Sequence, residues 1–423
     1  MEETGKQQHE IFLELRQRLE SGLLILRKDV AHSPTEVKVF GSDSSLLIQT
    51  SRGLWRAELP PRVSVVPGSC QPTPTGDAGE GLHFRLRLRV DQQTESRGSV
   101  IERIQVQQSY GFCCQACGSR ILEQRPVPPN FHRGQRCSTP GSPWVFQRVL
   151  PLPGGNWNTL VGEWCCHPDP FANRKLLPRT EDCLTGDTYF LLARDNSCNQ
   201  TLTVEPDPTS ARSAANHSQD SEKPRHVHRT TVKEVSCKNC SSMLGEALTG
   251  DALKFYITEV MEIESEDCET KRAGNRLEFV EKTLSARLVE LSSAQSIFRF
   301  SIQAPTGKTA ILLWLLNTDT LVASFPENPV TGNGTLISPG DSRCPDEHQS
   351  RLAVSAVKVL YLPCSSTIHQ DIVSAWERDI SVHNLTLPHT TCQEVLQLLS
   401  ASTSCLPPSL RCMNSYQVAF MRR

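Results

Sequence analysis

One cysteine near the carboxyl end, Cys392, stands in a context suited to nucleophilic chemistry. Pro388 biases Leu387 toward extended geometry, and an apolar run with helical spacing follows the cysteine. The thiol is therefore predicted at or near a helix start, where backbone N–H groups favour the thiolate that accepts an acyl group. His389 is the nearest candidate base. The same pattern also fits a core cysteine beneath a C-terminal helix, because free cysteine is among the most buried residue types.

Two Cys-x-x-Cys pairs, Cys114 with Cys117 and Cys237 with Cys240, form the strongest local signal. A tight turn aims two thiolates at one ion, and four thiolates are an ordinary all-cysteine zinc set. The separation of 120 residues between the pairs exceeds the usual spacing within one zinc site. Three interpretations therefore stay open: one zinc ion shared between the two halves of the chain, a separate zinc site at each pair, or simple buried thiols. In separate sites, the local partners of the first pair would be Cys165, Cys166 or His167.

The composition limits the classes of function. With a net charge of −2 and 21% charged residues of mixed sign, the chain of 423 residues has neither a basic nucleic-acid footprint nor an acidic tail. Its N-terminus lacks a basic region followed by an apolar core, and the longest apolar run, 310–316, is too short for a bilayer. We therefore expect the 17 cysteines to be in a reducing compartment, the cytosol, with nuclear access left open.

The first half of the sequence has strand-like patterns. Leu82–Val90 alternates apolar residues with histidine and arginines, which predicts a half-buried antiparallel strand. Periodicity does not decide whether 11–28 is a helix or a hairpin. Short strands broken by Gly, Pro, Asp and Ser suggest a β-sandwich or a barrel, and we predict an antiparallel, β-sandwich-like domain over 1–204. The polar, Pro- and Ser-rich stretch 205–229 is predicted to be an interdomain linker.

The second half of the sequence contains both helix-like and strand-like patterns of apolar residues. Apolar residues between 277 and 291 recur at helical spacing, whereas 309–316 is apolar on both faces, as in a central strand. We therefore predict an α+β domain over 230–423. The fold class of the whole chain is mixed and β-rich α+β.

Seven segments together resemble the E3D family of HECT-like E3 ubiquitin-protein ligases, also called E2C-binding proteins. The resemblance is most specific at 164–171 and weakest at 1–60, 120–146 and 200–230, where this sequence carries its own insertions. The segments are 112–118, 150–173, Cys237 to Cys240, 298–303, 311–317, 355–361 and 415–420.

The resemblance implies a ligase that accepts ubiquitin from an E2 conjugating enzyme and passes it to substrates, which promotes their proteasomal degradation. It also implies an E2-contacting segment at about 235–259 and a HECT-like segment at about 387–423. HECT ligases carry their acceptor thiol in a Leu-Pro and Thr-Cys context, which assigns the catalytic role to Cys392, and they carry a Phe near the chain end, matched by Phe420. This sequence departs from them in lacking the large bilobed HECT domain and in having Gln393 after the thiol.

The segment 150–180 further resembles a motif with which an inhibitory partner plugs a metallo-β-lactamase-fold endonuclease of mRNA cleavage and polyadenylation. The resemblance aligns Cys165 with a cysteine that approaches the partner's zinc. A core Trp-Cys-Cys strand is the alternative for this segment. Three functions follow: transthiolation through Cys392, an adaptor that only activates the E2, and a non-catalytic, zinc-stabilised binding protein that inhibits the nuclease.

Overall fold

The computed structural model describes twelve stretches of the chain, and the structural statements below concern these residues. They are 9–73, 81–91, 104, 109–122, 144–152, 177–194, 198–205, 233–248, 252–264, 275–326, 349–364 and 369–423.

Strands dominate the described residues. Those before residue 205 are β1 (His9–Arg16), β2 (Ser21–Leu26), β3 (Lys38–Gly41), β4 (Ser45–Thr50), β5 (Gly53–Glu58), β6 (Val63–Val65), β7 (Gln71–Thr73), β8 (Leu82–Val90), β9 (Ser109–Cys114), β10 (Trp144–Val145), β11 (Arg148–Pro151), β12 (Asp182–Thr185), β13 (Tyr189–Ala193) and β14 (Leu202–Val204). The later ones are β15 (Lys233–Cys237), β16 (Met243–Leu248), β17 (Ala252–Tyr256), β18 (Val260–Glu264), β19 (Arg299–Gln303), β20 (Thr309–Pro326), β21 (Gln349–Leu352), β22 (Val354–Pro363), β23 (Val382–Thr386), β24 (Cys412–Met413) and β25 (Tyr416–Arg422).

Four α-helices accompany these strands in the described part of the chain. They are α1 (Cys198–Thr201), α2 (Arg276–Gln295), α3 (Gln370–Glu377) and α4 (His389–Ser404), and single 3-10 turns lie at Pro34–Glu36 and Pro408–Leu410. The mixed, β-rich α+β class is confirmed. None of the helices in these stretches is both long and apolar enough to cross a membrane.

The largest sheet has eleven strands and takes them from both ends of the chain. Its main order is β24-β25-β22-β20-β1-β2-β8-β6, with β19 and β23 continuing from β20 and β7 paired to β8. The stretch 11–28 is therefore a hairpin, β1–β2, and β1 pairs on its other edge with β20. A four-stranded sheet, β21-β5-β4-β3, packs its apolar side chains into the same core.

A seven-stranded sheet also crosses the expected domain boundary. Its order is β11-β12-β13-β17-β16-β15-β14, and a smaller sheet has the order β10-β9-β18. The stretch 205–229 leads from β14 to β15, and these two strands pair with each other antiparallel. The expected division into domains at 1–204 and 230–423 therefore does not coincide with a division between sheets.

Alternation in sequence correctly predicted which faces are buried. In β8, Phe84, Leu86 and Leu88 are buried while the intervening arginines are exposed. Helix α2 begins at Asn275, whose side chain accepts a hydrogen bond from the Leu277 N–H at 3.1 Å, as an N-cap does. The apolar faces of α2 and α4 pack on β19, β20, β22 and β25, which forms the core that holds Cys392.

Candidate metal centre

The first Cys-x-x-Cys pair lies in a tight turn at the end of β9. The Gly118 N–H donates to the Cys114 carbonyl at 2.8 Å, and the Cys114 N–H donates to the Ser119 carbonyl at 2.8 Å. Gly118 has a φ of +72°, a left-handed conformation that glycine adopts without steric cost. The turn brings the Cys117 side chain back beside that of Cys114.

The second pair repeats this turn at the end of β15. The Ser241 N–H donates to the Cys237 carbonyl at 2.8 Å, and the Cys237 N–H donates to the Ser242 carbonyl at 2.9 Å. Ser241 stands where the first turn has glycine and has a φ of +60°. The same local geometry therefore presents a pair of thiols from each of two sheets.

The two turns face each other. Sγ of Cys114 lies 3.7 Å from Sγ of Cys240, Sγ of Cys117 lies 3.8 Å from Sγ of Cys237, and all four sulfur atoms lie within 4.8 Å of one another. A tetrahedron of sulfur atoms around zinc, with bonds of about 2.3 Å, has edges of about 3.8 Å. The arrangement, called the four-cysteine site below, can therefore hold one metal ion between the two halves of the chain.

Hydrogen bonds around the four-cysteine site favour thiolates unequally. Burial raises the pKa of Cys114 and of Cys237. Burial also acts to raise the pKa of Cys117, but hydrogen bonds from Ser119 and Asn239 outweigh it and bring that pKa down to about 6. Asn239 also donates to the Ser119 hydroxyl at 2.9 Å, which joins the two turns directly. Cys117 is the thiol best prepared to meet a cation, since the thiolate is the ligating form.

The helix predicted after Pro388 is confirmed as α4, but Cys392 in its first turn is not an exposed thiolate. The residue is only 2% exposed and belongs to an apolar cluster that includes Val395 and Leu399. Burial raises the pKa of its thiol to about 11, and Sγ lies 3.6 Å from the Leu387 carbonyl oxygen. Burial therefore outweighs the helix start that was expected to favour ionisation.

The structure shows two other residues named from sequence, His389 and Phe420, in contact with side chains other than that of Cys392. His389 is exposed, and its Nε2 lies 3.2 Å from the side-chain nitrogen of Gln393. Cys165, with 153–176, lies outside the described residues, so its approach to a partner's zinc stays a prediction. Phe420 is in β25, with its ring 5.9 Å from that of Phe12, where it contributes to the core.

The segment 235–259 is a compact β-meander. It runs from the end of β15 through β16 and β17, with the second cysteine turn at its start. A buried polar cluster stiffens it: the Tyr256 hydroxyl donates to Glu246 at 2.6 Å, and Lys254 pairs with the same carboxylate at 3.0 Å. These contacts join β16 and β17 through their side chains as well as through the backbone.

Sequence reasoning missed the residues that support the four-cysteine site. Both cysteine pairs are followed by a small residue and a serine, and this repeated pattern could have identified Ser119 and Ser242. Arg276 lies in a cluster beside the Cys114 turn and α4, and as a single arginine at the start of a helical pattern it gave no signal.

Comparisons with known proteins show which family the chain matches. Residues 14–418 match the family described as HECT-like Ubiquitin-conjugating enzyme (E2)-binding. The E3 ubiquitin-protein ligase E3D of Bos taurus is 41% identical over 419 residues, that of Homo sapiens 39% over 414 and that of Mus musculus 38% over 420. In each case the match covers 97% of this chain and 97% of the relative. No solved structure matches the chain.

Proposed function

The chain belongs to the HECT-like family that binds ubiquitin-conjugating enzymes, and on this premise we propose that it is an E3 ubiquitin ligase. It recruits an E2 charged with ubiquitin through the segment 235–259 and promotes transfer of ubiquitin to substrate lysines. The β-meander of this segment supports that assignment, because its side chains are hydrogen-bonded to one another and its Cys237 and Cys240 lie against the first cysteine turn. The relatives are named E3 ubiquitin-protein ligases.

Zinc is the metal proposed for the four-cysteine site, because four thiolates at tetrahedral spacing are its usual structural set. Cys114, Cys117, Cys237 and Cys240 would hold it, and it would supply a cross-link between β9 and β15 when bound. The side chains of Ser119 and Asn239 orient the two turns around it. The E2-contacting segment thereby keeps a constant position relative to the remaining sheets.

The burial of Cys392 decides which transfer mechanism we propose. Transthiolation requires this sulfur to attack the E2 thioester, but the residue is 2% exposed and its pKa is raised to about 11. We therefore propose that the chain activates the E2 directly. The substrate amine attacks the thioester carbonyl, the C–N bond forms and the C–S bond to the E2 breaks. The E2 sulfur leaves as a thiolate, and the proton lost by the amine restores it to a thiol.

A discharge assay tests the proposal. A panel of E2 enzymes charged with ubiquitin is mixed with free lysine and the purified chain, and products are separated on reducing and non-reducing gels. We expect the chain and its Cys392→Ala variant to accelerate discharge equally, with no reducible ubiquitin adduct on the chain. The matched control is Cys412→Ala, which changes an exposed thiol in β24.

Two outcomes would contradict this mechanism. A reducible adduct that disappears in Cys392→Ala would establish transthiolation through that residue. No acceleration with any E2 would leave only a binding protein.

Charge reversal at exposed Lys238, between the cysteines of the second turn, should weaken E2 binding without releasing the metal.

A further inference from the structure

Arg276, the first residue of α2, joins three separate parts of the fold. Its Nη2 lies 2.8 Å from Oε1 of Glu259 and 3.0 Å from Oε2 of Glu394, and its Nη1 donates to Oε1 of Gln115 at 3.2 Å. Gln115 belongs to the first cysteine turn and is buried, and Glu394 is in α4. One guanidinium therefore ties the four-cysteine site and the end of the E2-contacting segment to the HECT-like segment.

Thr391 completes the same network. Its hydroxyl donates to Oε1 of Glu259 at 2.6 Å and accepts from Nη2 of Arg276 at 3.1 Å. Helix α4 begins at His389, and Pro388 at its N-cap position has no capping side chain, so no capping side chain satisfies the free N–H groups of the first turn. The hydrogen bonds of Thr391 and Glu394 are tertiary contacts that hold this turn in place. We call Gln115, Glu259, Arg276, Thr391 and Glu394 the latch.

We infer that the latch keeps the thiol of Cys392 covered, and that local opening of the first turn of α4 exposes it. Cys392 follows Thr391, and both side chains are buried, as are those of Val395 and Leu399 in the following turns. The first turn differs from those turns in having no side-chain cap and in the hydrogen bonds that it makes with the latch. An uncapped helix end opens more readily than the packed middle of a helix. The chain therefore has a closed state, in which Cys392 is inert, and an open state, in which a reactive partner reaches its sulfur.

This inference does not depend on the proposed function, since access to the thiol is measured without E2 or ubiquitin. Only the open state presents the sulfur of Cys392 as a nucleophile. Glu259 is both the last residue of the E2-contacting segment and an acceptor for two donors of the latch. A displacement of Glu259 would break both of these contacts, while Arg276 would keep its pairing with Glu394.

Site-resolved labelling with N-ethylmaleimide tests the latch in the full chain. Thr391→Val removes the hydroxyl but keeps the branched shape, and Arg276→Met removes the charge but keeps most of the stem. Because hydrogen bonds to charged groups are lost, we expect Cys392 to be labelled about tenfold faster or more in both variants. Cys183, which is 0% exposed in another cluster, serves as the internal reference and should keep its rate.

Arg287→Met is the matched control. Arg287 is also in α2 and is partly buried, but it pairs with Asp187 and Glu290 and has no contact in the latch. Unchanged labelling of Cys392 in Thr391→Val would overturn the inference, and so would a parallel rise at Cys392 and Cys183, which indicates global unfolding. Should Arg276→Met fail to fold, Thr391→Val alone decides between these outcomes.

Discussion

The sulfur atoms of Cys117 and Cys237 lie 3.8 Å apart although 120 residues separate them in the chain. Cys117 lies in the turn after β9 of the three-stranded sheet, and Cys237 lies at the end of β15 of the seven-stranded sheet. The contact therefore joins two different sheets. Shared ligation of one metal would oppose separation of these sheets, since the two turns could not part without breaking metal–sulfur bonds.

The shared site predicts one zinc ion per chain. The double variant Cys237→Ser/Cys240→Ser should lose all of it, because two remaining sulfur ligands do not hold zinc tightly. Metal content measured by mass spectrometry of the purified protein checks this, with Cys405→Ser/Cys412→Ser, two exposed thiols outside the site, as control. Retention of half the metal in the first variant would mean that each turn binds its own ion.

Each cysteine turn has one residue in the left-handed backbone conformation, Gly118 in the first and Ser241 in the second. Substitutions at these two positions should change the free energy of unfolding in opposite directions. A Cβ atom added at Gly118 would meet no other described residue within 4 Å beyond its chain neighbours, so Gly118→Ala should cost about 1 kcal/mol for conformational reasons alone. Ser241→Gly should stabilise the protein by roughly 0.5 kcal/mol. Glycine removes the steric cost of a φ of +60°, but its greater conformational freedom in the unfolded chain offsets part of this gain. Chemical denaturation of the metal-loaded protein measures both. Equal effects of one sign would show that the turns are not equivalent.

Burial of Cys392 makes stability depend on pH in the alkaline range. Its pKa is raised from an ordinary value of 9.0 to about 11, so the folded state retains a proton that the unfolded state loses. The stabilisation is therefore fully present below pH 9.0 and is lost as pH rises toward about 11. Compared with Cys392→Ala, the unaltered chain should lose about 2–3 kcal/mol more over that interval. Parallel curves for both proteins, in denaturant titrations across this range, would mean that the thiol is solvated.

A buried ion pair connects the two ends of the chain within the largest sheet. Nζ of Lys358 in β22 lies 3.0 and 2.9 Å from the two carboxylate oxygens of Glu14 in β1, which is 2% exposed. Lys358→Met leaves a buried carboxylate without its partner and should cost about 3–5 kcal/mol. Urea unfolding measures this, and Glu14→Leu/Lys358→Met should recover much of the loss. Lys282→Met breaks an exposed pair with Glu278 and should cost about 1 kcal/mol or less.

Local chemistry in the sequence determined several features correctly. The Cys-x-x-Cys spacing predicted a tight turn at each pair, because the backbone closes such a turn within a few residues. Alternation predicted the buried face of β8, and Pro388 with the apolar run after it predicted the start of α4. Each of these depends on neighbours within one or two turns of the chain.

The tertiary structure decided what these elements do together. The 120 residues between the cysteine pairs carry no signal that the two turns face each other, since sheet order depends on pairings between distant strands. Periodicity places Cys392 on a helix, but packing against α2 and β20 decides that its face is buried. The latch around Arg276 joins residues from four parts of the chain, and only their packing makes one arginine the partner of Glu259 and Glu394. Long-range packing, which no local pattern encodes, therefore determines whether the thiol can react.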